Sequence, residues 1–193
     1  MKYTLTIAFL IFVRAAIAQS GQSGIYLTAA DFQSSLLTNA LDCKESHHAI
    51  KRNSFFNKGY ITIIDHGQRK RYNKSEVFGY LDCDKNVYRF FDNKEYMILN
   101  TEGFCLYKHE QLENNVKSAN TISLYFFSTS INSSPQLLTL LNLQKAFPDN
   151  HKFLDLLDAA FKSDDDLIRT DAFKKGYKLI HIYNDSQTKT QPE

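Results

Sequence analysis

Residues 87–108 read Val87-Tyr88-Arg89-Phe90-Phe91-Asp92-Asn93-Lys94-Glu95-Tyr96-Met97-Ile98-Leu99-Asn100-Thr101-Glu102-Gly103-Phe104-Cys105-Leu106-Tyr107-Lys108. Aromatic and aliphatic runs alternate with Asp92-Asn93-Lys94 and Thr101-Glu102-Gly103, residues that tolerate tight turns, so the stretch reads as antiparallel strands joined by hairpins. The same rhythm extends outward. Upstream lie Tyr60-Ile61-Thr62-Ile63-Ile64, the turn Asp65-His66-Gly67-Gln68, a returning run at 69–72, a further run at 77–81 and a turn at 82–86. Downstream, the polar segment 110–120 reads as a loop before a last strand at 122–127. Turns recurring about every ten residues predict a meander of six or seven strands over 49–128, as a curled sheet or a partly open barrel.

On both sides of this region the apolar period becomes helical. Thr28-Ala29-Ala30-Asp31 has the form of a capping box, and Phe32, Leu36 and Leu37 follow at helical spacing, which predicts a short helix within 28–40. After Ser133-Ser134-Pro135, the residues Leu137, Leu138, Leu140, Leu141 and Leu143 predict a helix that opens near Pro135 and stops at Phe147-Pro148. Asp149 is placed to cap a second helix carrying Phe153, Leu154, Leu156, Leu157 and Phe161. Ser163-Asp164-Asp165-Asp166 opens a third, with Leu167, Ile168, Phe173, Tyr177 and Ile180 on it. Strands followed by helices make the chain α+β: the helical region 134–184 covers the sheet or plugs the barrel, and 185–193 is a polar frayed tail. With 43% hydrophobic and 23% charged residues, three prolines and seven glycines, the composition excludes collagen, coiled coil and wholesale disorder. One domain over 19–193 is expected.

The first eighteen residues combine Lys2, an apolar run from Leu5 to Val13 interrupted only by Thr6, and Ala16-Ile17-Ala18 before Gln19. That is the pattern of a cleavable signal peptide, with a run too short for a bilayer, which takes about 20 apolar residues. Export to the periplasm or the exterior, with no transmembrane anchor after cleavage, is expected. The leader holds Lys2 and Arg14 and no acid, so its removal lowers the 23 basic side chains by two and leaves them matched to the 21 acidic ones. The apparent net charge of +2 thus belongs to the leader.

In an oxidising compartment two of the three cysteines can pair. Cys43 and Cys83 follow Asp42 and Asp82 at apparent element ends, whereas Cys105 lies between Phe104 and Leu106 as a small apolar residue. A Cys43–Cys83 bridge is favoured, with no bridge as the open alternative. Cys43 near His47 and His48 has the ingredients of a thiol–imidazole pair, but such partners are normally distant in sequence, and a structural role is the simpler reading. No second motif completes a metal site around His47-His48, so none is expected there, and Asp65-His66-Gly67 reads as turn chemistry.

Segment 51–74 carries Lys51, Arg52, Lys58, Arg69, Lys70, Arg71 and Lys74 against the single acid Asp65, with Phe55, Phe56, Tyr60 and Tyr72 interleaved. Lys58, Tyr60, Arg69, Arg71, Tyr72 and Lys74 are the candidate ligand-binding face, suited to an anionic glycan, a lipid phosphate or an acidic protein. Export argues against nucleic acid. The competing reading is a solvated strand face that discourages edge pairing. Asp155, Asp158 and Asp164 to Asp166 are expected to cap helices and to face these basic strands. The strand aromatics read as core, with a ligand cavity as the alternative. No phosphate loop, dinucleotide fingerprint, Gly-x-Ser-x-Gly elbow or His-Glu-x-x-His occurs, and no cofactor is indicated. These features together point to a non-enzymatic binding or interaction module, the alternative being an envelope hydrolase with residues dispersed along the chain.

Finally, Gly59-Tyr60-Ile61-Thr62-Ile63-Ile64, Ser75-Glu76-Val77-Phe78-Gly79-Tyr80, Asp82-Cys83, Val87-Tyr88-Arg89-Phe90, Asn93-Lys94-Glu95-Tyr96, Ile98-Leu99 and 146–153 (AFPDNHKF) resemble a group of small secreted proteins of Bacteroidetes-type bacteria. The resemblance covers most of the mature chain. It implies an envelope or periplasmic protein of uncharacterised activity and transfers no site residue.

Overall fold

The computed structural model describes residues 21–52, 58–115 and 118–188; the expected signal peptide lies outside them. The strands are β1 (Gln22–Tyr26), β2 (Thr38–Asp42), β3 (Ala49–Lys51), β4 (Tyr60–Asp65), β5 (Gln68–Asn73), β6 (Gly79–Leu81), β7 (Val87–Phe91), β8 (Lys94–Asn100), β9 (Cys105–Asn115), β10 (Ser118–Ser128) and β11 (Gln136–Leu137). The helices are α1 (Ala29–Gln33), α2 (Leu140–Ala146), α3 (His151–Ala160) and α4 (Lys178–Gln187), with a 3-10 helix at Asp164–Ile168.

The meander is real from β6 to β10, where successive strands pair antiparallel in an eight-stranded sheet of order β11-β10-β9-β8-β7-β6-β1-β2. Its turns follow from residue type: Asp92 and Asn93 take φ of 48° and 61° between the paired residues Phe91 and Lys94, the mirror-image turn that suits strand twist. Gly79 is required for a different reason. A Cβ there would overlap the Tyr88 carbonyl of the neighbouring strand. The sheet is open, with β2 and β11 at its edges, and does not close into a barrel. Strands β3, β4 and β5 leave the meander to form a separate three-stranded sheet.

Register assigns the faces. Tyr88 pairs with Met97, Met97 with Lys108 and Lys108 with Tyr125, so these side chains share one face, while Arg89, Tyr96, Tyr107 and Phe126 share the other. Two covers sit on the first face. At its β6–β7 end the small sheet packs Ile61 and Ile63 on Ile25, Tyr80 and Phe90. At its β9–β10 end the helices pack Leu143, Phe153, Leu157, Leu167 and Leu179 on Phe104, Leu106 and Phe127. Each such fully buried side chain contributes roughly 1.5–3 kcal/mol of transfer free energy. The second face carries α1 through Ala29 and Phe32, together with Ile131, over Tyr96, Cys105 and Tyr107. The strand aromatics are therefore mostly packed core.

Several expectations are corrected. The capping box forms, with the Thr28 amide donating to Asp31 at 2.9 Å and the Asp31 amide to Thr28 at 3.1 Å, but α1 stops at Gln33 because Ser35 enters the left-handed region at φ 55°. Residues beyond it return as β2, which buries only Leu41 and so lacks a periodic signature. Of the segment expected as a loop, residues 110–115 belong to β9 and 118–120 to β10, whose pairing runs from Cys105↔Ser128 to Asn115↔Ser118, while 116 and 117 lie outside the described residues. Pro135 does not start a helix. Gln136 and Leu137 instead pair with β10, and α2 begins after Thr139, whose hydroxyl accepts from the Asn142 amide. Asn150, not Asp149, caps α3 by accepting from the Phe153 amide at 3.1 Å. The third expected helix is divided: the 3-10 helix ends at Ile168, and α4 begins only at Lys178, leaving Phe173 99% exposed.

Candidate functional site

In the small sheet, Ile61 and Ile63 face the core, which places their pairing partners Tyr72 and Lys70 on the same inner side. The outer side presents Lys51, Thr62 and Arg71 in one row and Ala49, Ile64 and Arg69 in the next. The Arg71 guanidinium lies 4.9 Å from the Tyr60 ring centre and the Lys58 ammonium 5.9 Å from it, so the ring is a platform that holds two cations. Of the six expected residues, Lys58, Tyr60, Arg69 and Arg71 share this outer face. Tyr72 does not: it packs inward, and its hydroxyl accepts from the Asn39 carboxamide of β2. Lys74 is also removed from the face, with a buried ammonium 2.9 Å from Glu95.

Among the described residues, no carboxylate forms an ion pair with Arg69, Lys70 or Arg71. The C-terminal acids serve their own region instead: Asp166 pairs with Arg169 at 2.7 Å, Asp185 with Lys174 at 3.6 Å, and Asp164 accepts from the Leu140 amide at 2.8 Å. Among the described residues these contacts do not show the expected facing of the acids onto the basic strands.

Cys43 and Cys83 form a disulfide with Cα atoms 5.5 Å apart, beyond the end of β1 and joining the ends of β2 and β6. Cys43 therefore offers no thiolate to His47 or His48, and Cys105 is buried. His48 meets partners that sequence reading kept apart. Its Nε2 is 2.9 Å from Asp65 Oδ1, 3.4 Å from Glu45 Oε2 and 3.2 Å from His66 Nδ1, and its Nδ1 is 3.2 Å from the Asp42 carbonyl. The His66 ring hydrogen-bonded beside it holds the Asp65 carboxyl below its ordinary value. The cause of the meeting is register: Ala49 pairs with Ile64, so the next position along the ladder sets His48 against Asp65 and the β4–β5 turn. His66 and Gly67 hold that turn at φ of 46° and 82°.

Two buried polar clusters lock the large sheet. Glu95 accepts from Lys74 at 2.9 Å and from the Tyr80 hydroxyl at 3.1 Å, while the Lys74 ammonium lies 5.4 Å from the Phe90 ring centre. Burial, reinforced by the Glu95 charge, pushes the Tyr80 hydroxyl well above its ordinary value. On the opposite face Arg89 donates to the Tyr107 hydroxyl at 3.0 Å and to the Ser133 carbonyl at 2.9 Å, anchoring the loop after β10. Burial pushes Tyr107 up to about 12. Every polar group of these clusters already has a structural partner. Comparison with known proteins gives no matching family model, no matching curated protein and no matching solved structure.

Proposed function

We propose that the chain is an exported, non-enzymatic binding module of the bacterial envelope, whose outer β4–β5 face takes an anionic glycan. The observation that carries this reading is the exposed pair Arg69 and Arg71, on adjacent outward positions of β5, without a carboxylate partner among the described residues. Alternate strand positions lie about 7 Å apart along the backbone, a spacing from which two guanidinium groups can reach two anionic groups of one polymer together. Tyr60, held beneath Arg71, supplies an apolar surface between the charges. The disulfide supports folding in an oxidising compartment, and the leader pattern at 1–18 supports export. The bridged Cys43 and buried Cys105 weigh against a cysteine hydrolase.

The test is binding of the oxidised mature protein to a carboxylated polysaccharide, measured against its neutral counterpart across a salt series. Affinity is expected to fall as salt rises, and the pair Arg69→Ala and Arg71→Ala is expected to abolish it, since each screened charge contact contributes. Binding that ignores salt, or that survives the pair, overturns the reading. Preference for phospholipid vesicles or for an acidic protein over the polysaccharide overturns the choice of ligand.

A further inference from the structure

We infer that Glu45, His48, Asp65 and His66 form a binding site for a divalent transition metal of the zinc type. The donors come from two separated segments, the β2–β3 loop and the β4–β5 turn, and the ligand atoms of Glu45, His48 and His66 all lie within 4.8 Å of one another. A tetrahedral ion with bonds of about 2.0–2.1 Å has donor–donor edges of about 3.3–3.4 Å. The separations are 3.2 Å for His48 Nε2 to His66 Nδ1 and 3.4 Å for His48 Nε2 to Glu45 Oε2. The two edges that meet at His48 Nε2 thus stand at the length that such an ion imposes, and Glu45 Oε2 lies 3.4 Å from His66 through that ring's other nitrogen, Nε2. Asp65 Oδ1, 2.9 and 2.7 Å from the two imidazoles, lies against both rings at the margin of this set.

The arrangement of donors and acceptors around His48 is the second argument. A carbonyl cannot donate, so the contact to Asp42 is Nδ1–H donating, which leaves Nε2 as the ring atom directed at Glu45, Asp65 and His66. This is the outer contact that fixes the tautomer and aim of metal-bound histidines. Nε2 consequently faces two carboxylate oxygens and a second imidazole. A proton there serves one of these three contacts, whereas a metal ion serves all of them. His48 is held for the task, with a side chain only 9% exposed, while His66 at 67% keeps the site open to solvent and to a further water ligand. Two imidazoles with carboxylates favour zinc, copper or nickel over magnesium or calcium, which take all-oxygen shells. The neighbouring disulfide anchors the chain two residues before Glu45, so the loop arrives preordered.

The site does not depend on the anionic-ligand reading, because Arg69 and Arg71 take no part in it. Zinc chloride titrated into the oxidised mature protein, followed by calorimetry, is expected to show one saturable equivalent. Replacing His48 or His66 by Ala is expected to weaken it at least about tenfold, and His47→Ala to leave it unchanged. Cobalt substituted into the unaltered protein is expected to give the intense visible bands of a tetrahedral ion, a readout that needs no variant to fold. Absence of saturable zinc binding overturns the inference in favour of a metal-free imidazole–carboxylate network. Equal weakening by His47→Ala, or cobalt bands of octahedral intensity, overturns it in favour of nonspecific surface histidine binding.

Discussion

Replacing Lys74 by Met isolates the energetics of the buried ion pair between the small sheet and the large one. The Lys74 side chain is 1% exposed and that of Glu95 12%, and their charged groups are 2.9 Å apart. Met keeps the apolar stem that packs near Phe90 but leaves the carboxylate in a low-dielectric setting. Removing one member of such a pair costs about 3–5 kcal/mol, because the stranded charge keeps its desolvation penalty. Glu95 retains the Tyr80 hydroxyl and lies within electrostatic reach of Arg52, which places the expected loss at the lower end, about 3 kcal/mol. For a domain of this size the melting temperature should fall by about 6–12 °C. Adding Glu95→Gln removes the stranded charge and keeps an acceptor for Tyr80. The double variant should therefore be at least about 1.5 kcal/mol more stable than the sum of the two single losses. Urea unfolding of all four proteins with the disulfide intact measures both quantities. A Lys74→Met loss below about 1 kcal/mol, or strict additivity of the singles, would refute the reasoning.

Two further outcomes are expected. Replacing Cys43 and Cys83 together by Ser opens a link of sequence separation 40 and should cost about 3–4 kcal/mol in urea unfolding; a variant as stable as the parent would count against the bridge as a main support. Alkaline stability should decline between the ordinary tyrosine value of 10.0 and about 12, because the unfolded chain loses the Tyr107 proton while the folded chain keeps it. That contribution is complete below pH 10.0 and is lost as pH rises through about 12, so Tyr107→Phe should flatten the slope of stability against pH over this interval. An unchanged slope would remove Tyr107 as its source.

The elements most legible in the sequence were those with strong local periodicity and decisive turn residues, such as β7 and β8 around Asp92-Asn93. Strand β2 was hidden because four of its five side chains escape full burial, and β1 because a buried strand containing Gly24 has no alternation to read. The departure of β3–β5 from the meander depends on which apolar face packs where, a nonlocal matter. The same holds for the candidate sites. Consecutive basic residues advertise a charged segment, yet only pairing register shows that Arg69 and Arg71 share a face with Tyr60 while Tyr72 does not. The turn residues Asp65, His66 and Gly67 were fully accounted for by local geometry, and their second role depends on His48 arriving from across the ladder.

The two covers on one face of the large sheet divide the protein's resistance to opening. Among the described residues the small sheet shares no ladder hydrogen bonds with the large one, and it is held by its own apolar cluster, separate from the cluster under the helices. Its amides can therefore exchange with solvent through a partial opening that leaves the β8–β10 ladder and the helices intact, giving two free-energy levels within one domain. Any ligand held by the β4–β5 hairpin would act on the lower level first, protecting β4 and β5 from exchange while leaving the helical end unchanged.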